Sequence, residues 1–163
     1  RRDGIVWLIL TLEALAQVAT EDEDDPDEAA EELALDELIR AMEAYDPEET
    51  YRSHERKVEL IKALGRRRTE RSAEAILPYL KDVDEDVRFA AVDSLATAGD
   101  GALAEPIAEV ALDDESVRLR QRASEVLAEL ECTIKGHPRR KEIEAAIPKT
   151  AMVDKQGVVK MRK

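Results

Sequence analysis

The chain has 163 residues and a formal net charge of −13, from 38 acidic and 25 basic side chains, and this length fits one ordinary domain or one short repeat array. Its 44% hydrophobic residues can bury a core, but six glycines and six prolines are few for an all-β fold. One cysteine excludes a disulfide framework or a cysteine-rich zinc site, and two histidines exclude a multi-histidine metal centre supplied by this chain alone. We therefore expect a mostly helical cytoplasmic protein without a metal or other cofactor.

Two segments precede the first clear helical pattern. Residues 5–19 are mostly apolar but contain Glu13 and Gln17, and about 15 residues fall short of the roughly 20 that span a membrane. We predict a buried helix over residues 1–20 and no membrane partner. Residues 21–32 carry nine acids in twelve positions, and the mutual repulsion of these charges predicts a solvated acidic loop.

From residue 33 onward, apolar residues recur at helical spacing and predict helices joined by short turns. Asp46-Pro47 should end the first helix, and Gly65 should cap the second. Ser72 can begin the third helix, which Pro78 should bend or shorten, and Gly99 should end the fourth. Taken in pairs, the helices predict three repeat units within residues 33–134, followed by a C-terminal segment: 33–68, 70–99, 100–134 and 135–163.

Two of these units repeat each other at a separation of 32 residues. The six corresponding pairs are Leu80 and Leu112, Asp82 and Asp114, Val87 and Leu119, Arg88 and Arg120, Ala91 and Ala123, and Leu95 and Leu127. The first unit has the right length, but Thr50 and Arg56 stand where this offset would place the Asp and the Arg. We therefore interpret it as a degenerate repeat.

The stretch from Leu80 to Leu95, LKDVDEDVRFAAVDSL, resembles a HEAT repeat. More narrowly, it is similar to the bacterial HEAT-like repeats named after phycobilisome lyases, in which an acidic turn is followed by Val-Arg and then by Ala and Leu on the second helix. The resemblance implies an all-α fold, a right-handed α-solenoid of about three antiparallel helix pairs. It implies little about chemistry, because such repeats serve many unrelated roles.

The repeated Asp and Arg suggest a structural role at the turns. Asp82 and Asp114 should lie in the turns inside two helix pairs, with Arg88 and Arg120 in the first turn of the second helices. We predict that these four residues form an Asp–Arg ladder that links successive turns, because a guanidinium can contact a carboxylate in bidentate geometry.

The second helix of each pair should line the concave face of such a solenoid, and the polar side of that row is our candidate partner-binding surface. Phe89, one of five aromatic residues, is either a binding hot spot or packed against a neighbouring repeat. Six residues define the predicted surface: Glu59, Lys62, Phe89, Asp93, Gln121 and Glu125.

The charge changes sign near the C-terminus. Residues 135–163 carry nine basic and three acidic side chains, a net +6, which leaves −19 on the preceding 134 residues. Residues 151–159 read as two short strands around a turn, with Gly157 in a left-handed position. We predict a β-hairpin cap on the last helix pair; a tail that folds on a partner, or one that contacts nucleic acid or an anionic membrane, stays open.

No catalytic motif is present in the sequence. Cys132 and His137 lie five residues apart, but no orienting group or oxyanion site accompanies them, so we expect a packing cysteine and an exposed loop histidine. We predict a non-catalytic module that binds another protein or acts as a scaffold. The alternatives are an accessory subunit of a modifying enzyme, or a nucleic-acid-binding HEAT protein that uses basic loops and the basic tail. The charge of −13 opposes nucleic acid.

Overall fold

The computed structural model describes residues 28–43 and 54–162, so the predicted N-terminal helix and the acidic run as far as residue 27 lie outside the described residues. Seven α-helices and one β-hairpin follow each other: α1 (Glu28–Glu43), α2 (His54–Arg67), α3 (Glu70–Ile76), a 3₁₀ helix (Leu77–Lys81), α4 (Glu85–Ala98), a 3₁₀ turn (Gly101–Leu103), α5 (Ala104–Asp113), α6 (Val117–Glu129), α7 (Arg140–Ala146), β1 (Ala151–Val153) and β2 (Val159–Met161). The predicted helical fold with a C-terminal hairpin is confirmed.

The helices form three stacked pairs: α1 with α2, α3 and its 3₁₀ extension with α4, and α5 with α6. The second helices make a continuous row in which α2 packs on α4 and α4 packs on α6. A single pair cannot bury its apolar stripe alone, and stacking completes one core that runs through all three pairs. Its largest fully buried side chains include Leu38, Leu60, Leu95, Ile107 and Leu127.

Helix α1 begins at Glu28, so the last five residues of the predicted acidic loop are helical. The sequence from residue 28 to 34 consists of Glu, Ala and Leu, all strong helix formers, and this explains the earlier start. The helix ends at Glu43, ahead of Asp46-Pro47. Leu35, Leu38 and Met42 are buried on its inner side, as their spacing predicts.

The prediction that Gly65 caps α2 is wrong. The helix continues to Arg67, and Arg68 has the left-handed backbone (φ 55°) that ends it. Gly65 instead lies buried where α2 crosses α4, and a Cβ added there would lie 2.7 Å from Ser94 Cβ. The glycine therefore permits the close approach of two second helices.

Helix α3 begins at Thr69 and not at Ser72, which corrects a second prediction. Thr69 is the N-cap: its side chain accepts a hydrogen bond from the Ser72 N–H, while the Ser72 side chain accepts one from the Thr69 N–H. This reciprocal capping box satisfies two N–H groups that the helix itself leaves without partners. Pro78 shortens α3 as predicted, because the chain continues as a 3₁₀ helix with the proline in its first turn.

The C-terminal segment packs on the last helix pair. β1 and β2 pair antiparallel and contact α6, whereas α7 contacts both α5 and α6. The segment after α6 joins the sheet, because Val159 N–H donates to Cys132 O (2.9 Å) and Ile134 N–H donates to Gly157 O (2.8 Å). Gly157 has a φ of +83°, the left-handed conformation expected from the sequence. None of the helices in the described ranges is long and apolar enough to cross a membrane.

Candidate functional site

Arg88 joins two consecutive helix pairs at their turns. Its Nε donates to Asp114 Oδ2 (2.9 Å), and its Nη1 donates to the carbonyls of Asp82 (2.9 Å) and Val83 (3.2 Å) in its own turn. The Arg88 and Asp114 side chains are each only 7% exposed. The hydrogen bond to Asp114 raises the pKa of Arg88, although burial opposes the charge. Arg88 thus holds the turn of one pair against the aspartate of the next.

The two turn aspartates have the same local geometry. Asp114 Oδ1 accepts the Ser116 N–H (2.8 Å), and Asp82 Oδ1 accepts the Asp84 N–H (2.9 Å). In each case one carboxylate oxygen closes the turn while the other meets a cation from the preceding pair. The carboxylate therefore orders its own turn and fixes the position of the neighbour.

Lys57 supplies that cation in the first pair. Its Nζ lies 2.8 Å from Asp82 Oδ2, in a half-buried position at the start of α2. The structural counterpart of Arg88 is thus Lys57, 31 residues upstream, and not Arg56 at the 32-residue offset. Sequence comparison missed Lys57 because the first pair is one residue out of step with the other two and the cation is a different residue type.

Arg120 repeats only half of the contacts of Arg88. Its Nη1 donates to the carbonyls of Asp114 (2.6 Å) and Glu115 (3.1 Å), the same two turn positions that Arg88 contacts in its own pair. Within residues 34–43 and 54–162, no carboxylate forms a salt bridge with Arg120. The structure thus brings Asp82, Arg88 and Asp114 together and leaves Arg120 at the open end of the series.

The six residues of the predicted binding surface all lie on the solvent side of α2, α4 and α6, which we call the second-helix face. Glu59, Lys62, Asp93 and Gln121 are exposed, whereas Phe89 and Glu125 are half-buried.

Asp93 and Glu125 are brought together by Arg122, which sequence analysis did not single out. Arg122 Nη2 lies 2.8 Å from Asp93 Oδ1, and its Nη1 lies 3.5 Å from Glu125 and 2.7 Å from Glu129. Partial burial disfavours its charge, but hydrogen bonds to Glu129 and Asp93 leave its pKa raised. The spacing of 122, 125 and 129 along one helix side is the signal that could have indicated this cluster.

Phe89 packs against the core, and a cation covers its exposed side. The Arg118 guanidinium carbon lies 3.9 Å from the ring centroid, in a cation–π contact. Arg118 is itself held by Asp86 (3.4 Å) and Glu85 (4.0 Å). The second-helix face around Phe89 is therefore charged, and its charges are fixed by ion pairs between α4 and α6.

Cys132 and His137 are both engaged in packing. Cys132 is buried, and burial raises the pKa of its thiol to about 11, so the thiol is protonated near neutral pH. The expected exposure of His137 is wrong: its side chain is only 10% exposed, with Nε2 2.9 Å from Glu105 Oε2. Its Nδ1 accepts the Arg139 N–H (3.0 Å). No cluster of metal-ligating side chains occurs in the part of the chain that the structure describes.

The comparisons with known proteins agree with this repeat geometry. Residues 52–128, which run from the start of α2 to the end of α6, match the family model for HEAT repeats. The match supports the resemblance to HEAT-repeat proteins; the narrower similarity to phycobilisome-lyase-type repeats stays a prediction. No curated protein matches the chain. HEAT repeats generally mediate protein–protein interaction or scaffolding.

Proposed function

We propose that this chain is a non-catalytic, cytoplasmic protein-binding module that contacts its partner with the second-helix face. The observation that carries the proposal is the exposed row formed by Glu59, Lys62 and Gln121 across α2 and α6. Within the described residues, these three side chains make no hydrogen bond or ion pair, so their polar groups are available to another protein.

The rigidity of this face favours binding. The Arg118 and Arg122 clusters tie α4 to α6, and the close crossing at Gly65 ties α2 to α4. A surface that is already ordered loses less conformational entropy when it associates, so more of the interaction energy appears as affinity. Fixed charges of both signs also favour one partner over others, because like charges placed opposite each other are penalised.

The test is affinity capture of interacting proteins with the full chain, followed by mass spectrometry. In the variant Glu59→Ala/Lys62→Ala, one negative and one positive charge leave the second-helix face. We expect at least a fivefold loss of the bound partner. The matched control is Glu74→Ala/Lys81→Ala, which removes the same charges from the first helices of the second pair. If both variants retain every protein that the wild type captures, the second-helix face is not the binding surface.

A further inference from the structure

The cations at the turns form a series that stops before its last partner. Lys57 meets Asp82, and Arg88 meets Asp114, each time across the junction between two helix pairs. Arg120 occupies the same place in the third pair and makes the same contacts to its own turn carbonyls. Among the described residues it meets no carboxylate, although its Nε and Nη2 are the atoms that Arg88 uses to hold Asp114.

The C-terminal segment packs on the third pair without supplying the missing acid. The end of α7 forms one wall of a cavity of about 360 Å³ that Arg120 also lines. Ala111, Val117, Ala146 and Pro148 give this cavity an apolar lining, and Gln121 stands at its side. Val117 is 67% exposed, although an apolar side chain in this position gains by being covered. A cavity of this size admits a carboxylate side chain together with a small apolar neighbour.

The charges around the cavity favour an acidic ligand. Lys149 follows Pro148 and is exposed, and the C-terminal segment as a whole carries +6. A guanidinium in a partly apolar, half-buried site binds a carboxylate more strongly than one in open water, and a fork-to-fork contact adds directional preference.

We propose that Arg120 and this cavity bind an aspartate-containing turn of a partner protein. The chain itself shows the geometry: Asp114 in the turn Asp114-Glu115-Ser116 accepts from Arg88 with one oxygen and from the Ser116 N–H with the other. The partner would place its aspartate against Arg120 as Asp114 lies against Arg88, with an apolar side chain over Val117. This inference rests on the proposed protein-binding function and adds the chemistry of the bound segment.

The test uses a fluorescein-labelled peptide with blocked ends and the sequence of residues 109–122, EVALDDESVRLRQR, titrated with the full-length protein. We expect saturable binding that Arg120→Gln weakens at least tenfold, because a charge-assisted bidentate contact is lost. A peptide in which the residue equivalent to Asp114 is Asn should lose affinity to the same extent. Arg118→Gln is the matched control, since it removes an equal charge from the same helix, and we expect less than a twofold change.

Arg120→Lys provides a second variant, because it keeps the positive charge and can still donate to the turn carbonyls. We expect at least a threefold loss of affinity, since an ammonium group cannot form the fork. Failure of the peptide to saturate the wild-type protein at 1 mM overturns the proposal, as does equal weakening by Arg120→Gln and Arg118→Gln.

Sedimentation of the wild type separates two further outcomes. Self-association that Arg120→Gln abolishes would assign the site to a second copy and overturn the partner-protein proposal. Loss of capture in Glu59→Ala/Lys62→Ala, with no peptide binding, would leave the proposed function standing and remove only this inference.

Discussion

Arg88 is the residue whose side chain contacts the most turn groups, and its removal should show in the stability. Replacing it by glutamine would leave the Asp114 carboxylate 7% exposed and without its cation. Breaking a buried ion pair from one side costs about 3 kcal/mol or more, because the remaining charge stays desolvated. We expect Arg88→Gln to lower the free energy of unfolding by about 3 kcal/mol, measured by urea denaturation followed by circular dichroism.

The control is Lys81→Gln, which removes the same charge from an exposed pair. Lys81 and Glu109 are 75% and 54% exposed, and surface pairs of this kind contribute about 0–1 kcal/mol. The slope of the denaturation curve should stay constant in both variants. Equal losses in the two variants would show that the turn contacts of Arg88 contribute no more than ordinary surface charge.

Sequence reasoning could predict part of this network but not all of it. Asp82, Arg88 and Asp114 were found because residue type and spacing repeat exactly once along the chain. Lys57, Arg118 and Arg122 were missed, because their roles depend on which side of a helix faces the next pair. That orientation follows from the crossing of packed helices, and a single sequence does not specify it.

At the scale of helices, the crossing of α2 and α4 depends on Gly65. Alanine is the better helix former by about 1 kcal/mol, so local propensity alone predicts a stabilised Gly65→Ala variant. The new Cβ would lie 2.7 Å from Ser94 Cβ and 3.1 Å from its Cα, and rotation of a side chain cannot relieve a clash with backbone. We expect a net loss of about 1–2 kcal/mol in the free energy of unfolding, measured by thermal and urea denaturation.

A double-mutant cycle with Ser94→Gly tests the same contact from the other side. Removing the Ser94 Cβ makes room for an alanine at position 65, so the double variant should be more stable than the sum of the single effects by about 1 kcal/mol. Additive losses would place the cost of Gly65→Ala somewhere other than this crossing.

The helices themselves were largely predictable, and their ends were less so. Apolar spacing indicated α1 to α6, and Gly99 follows the end of α4 as expected. Gly65 and Ser72 were misjudged for one reason: the sequence identifies a residue that can cap a helix, but tertiary packing decides whether it does. Gly65 is needed for close approach, and Ser72 completes a capping box that Thr69 begins.

Across the whole molecule, an acidic body is joined to a basic C-terminal segment. Arg139 forms a salt bridge with Asp113, and His137 contacts Glu105, so two side chains of the segment reach α5. The hydrogen bond to Arg139 lowers the pKa of Asp113. Ile134, Ile143, Ala151 and Val159 are buried between the segment and the helix pairs. These contacts favour a packed cap over a tail that folds only on a partner.

Hydrogen exchange of the free protein distinguishes these two alternatives. The Ile134 and Val159 amides donate to backbone carbonyls within the small sheet, and both side chains are buried against the last helix pair. A packed cap opens only when that pair opens, because neighbouring units of a solenoid stabilise each other. We therefore expect the opening free energies of these two amides to lie within about 1 kcal/mol of those in the interior of α6. The exposed turn at Gly136 is the internal reference and should exchange rapidly. Exchange at Ile134 and Val159 as fast as at Gly136 would show that the segment is not folded without a partner.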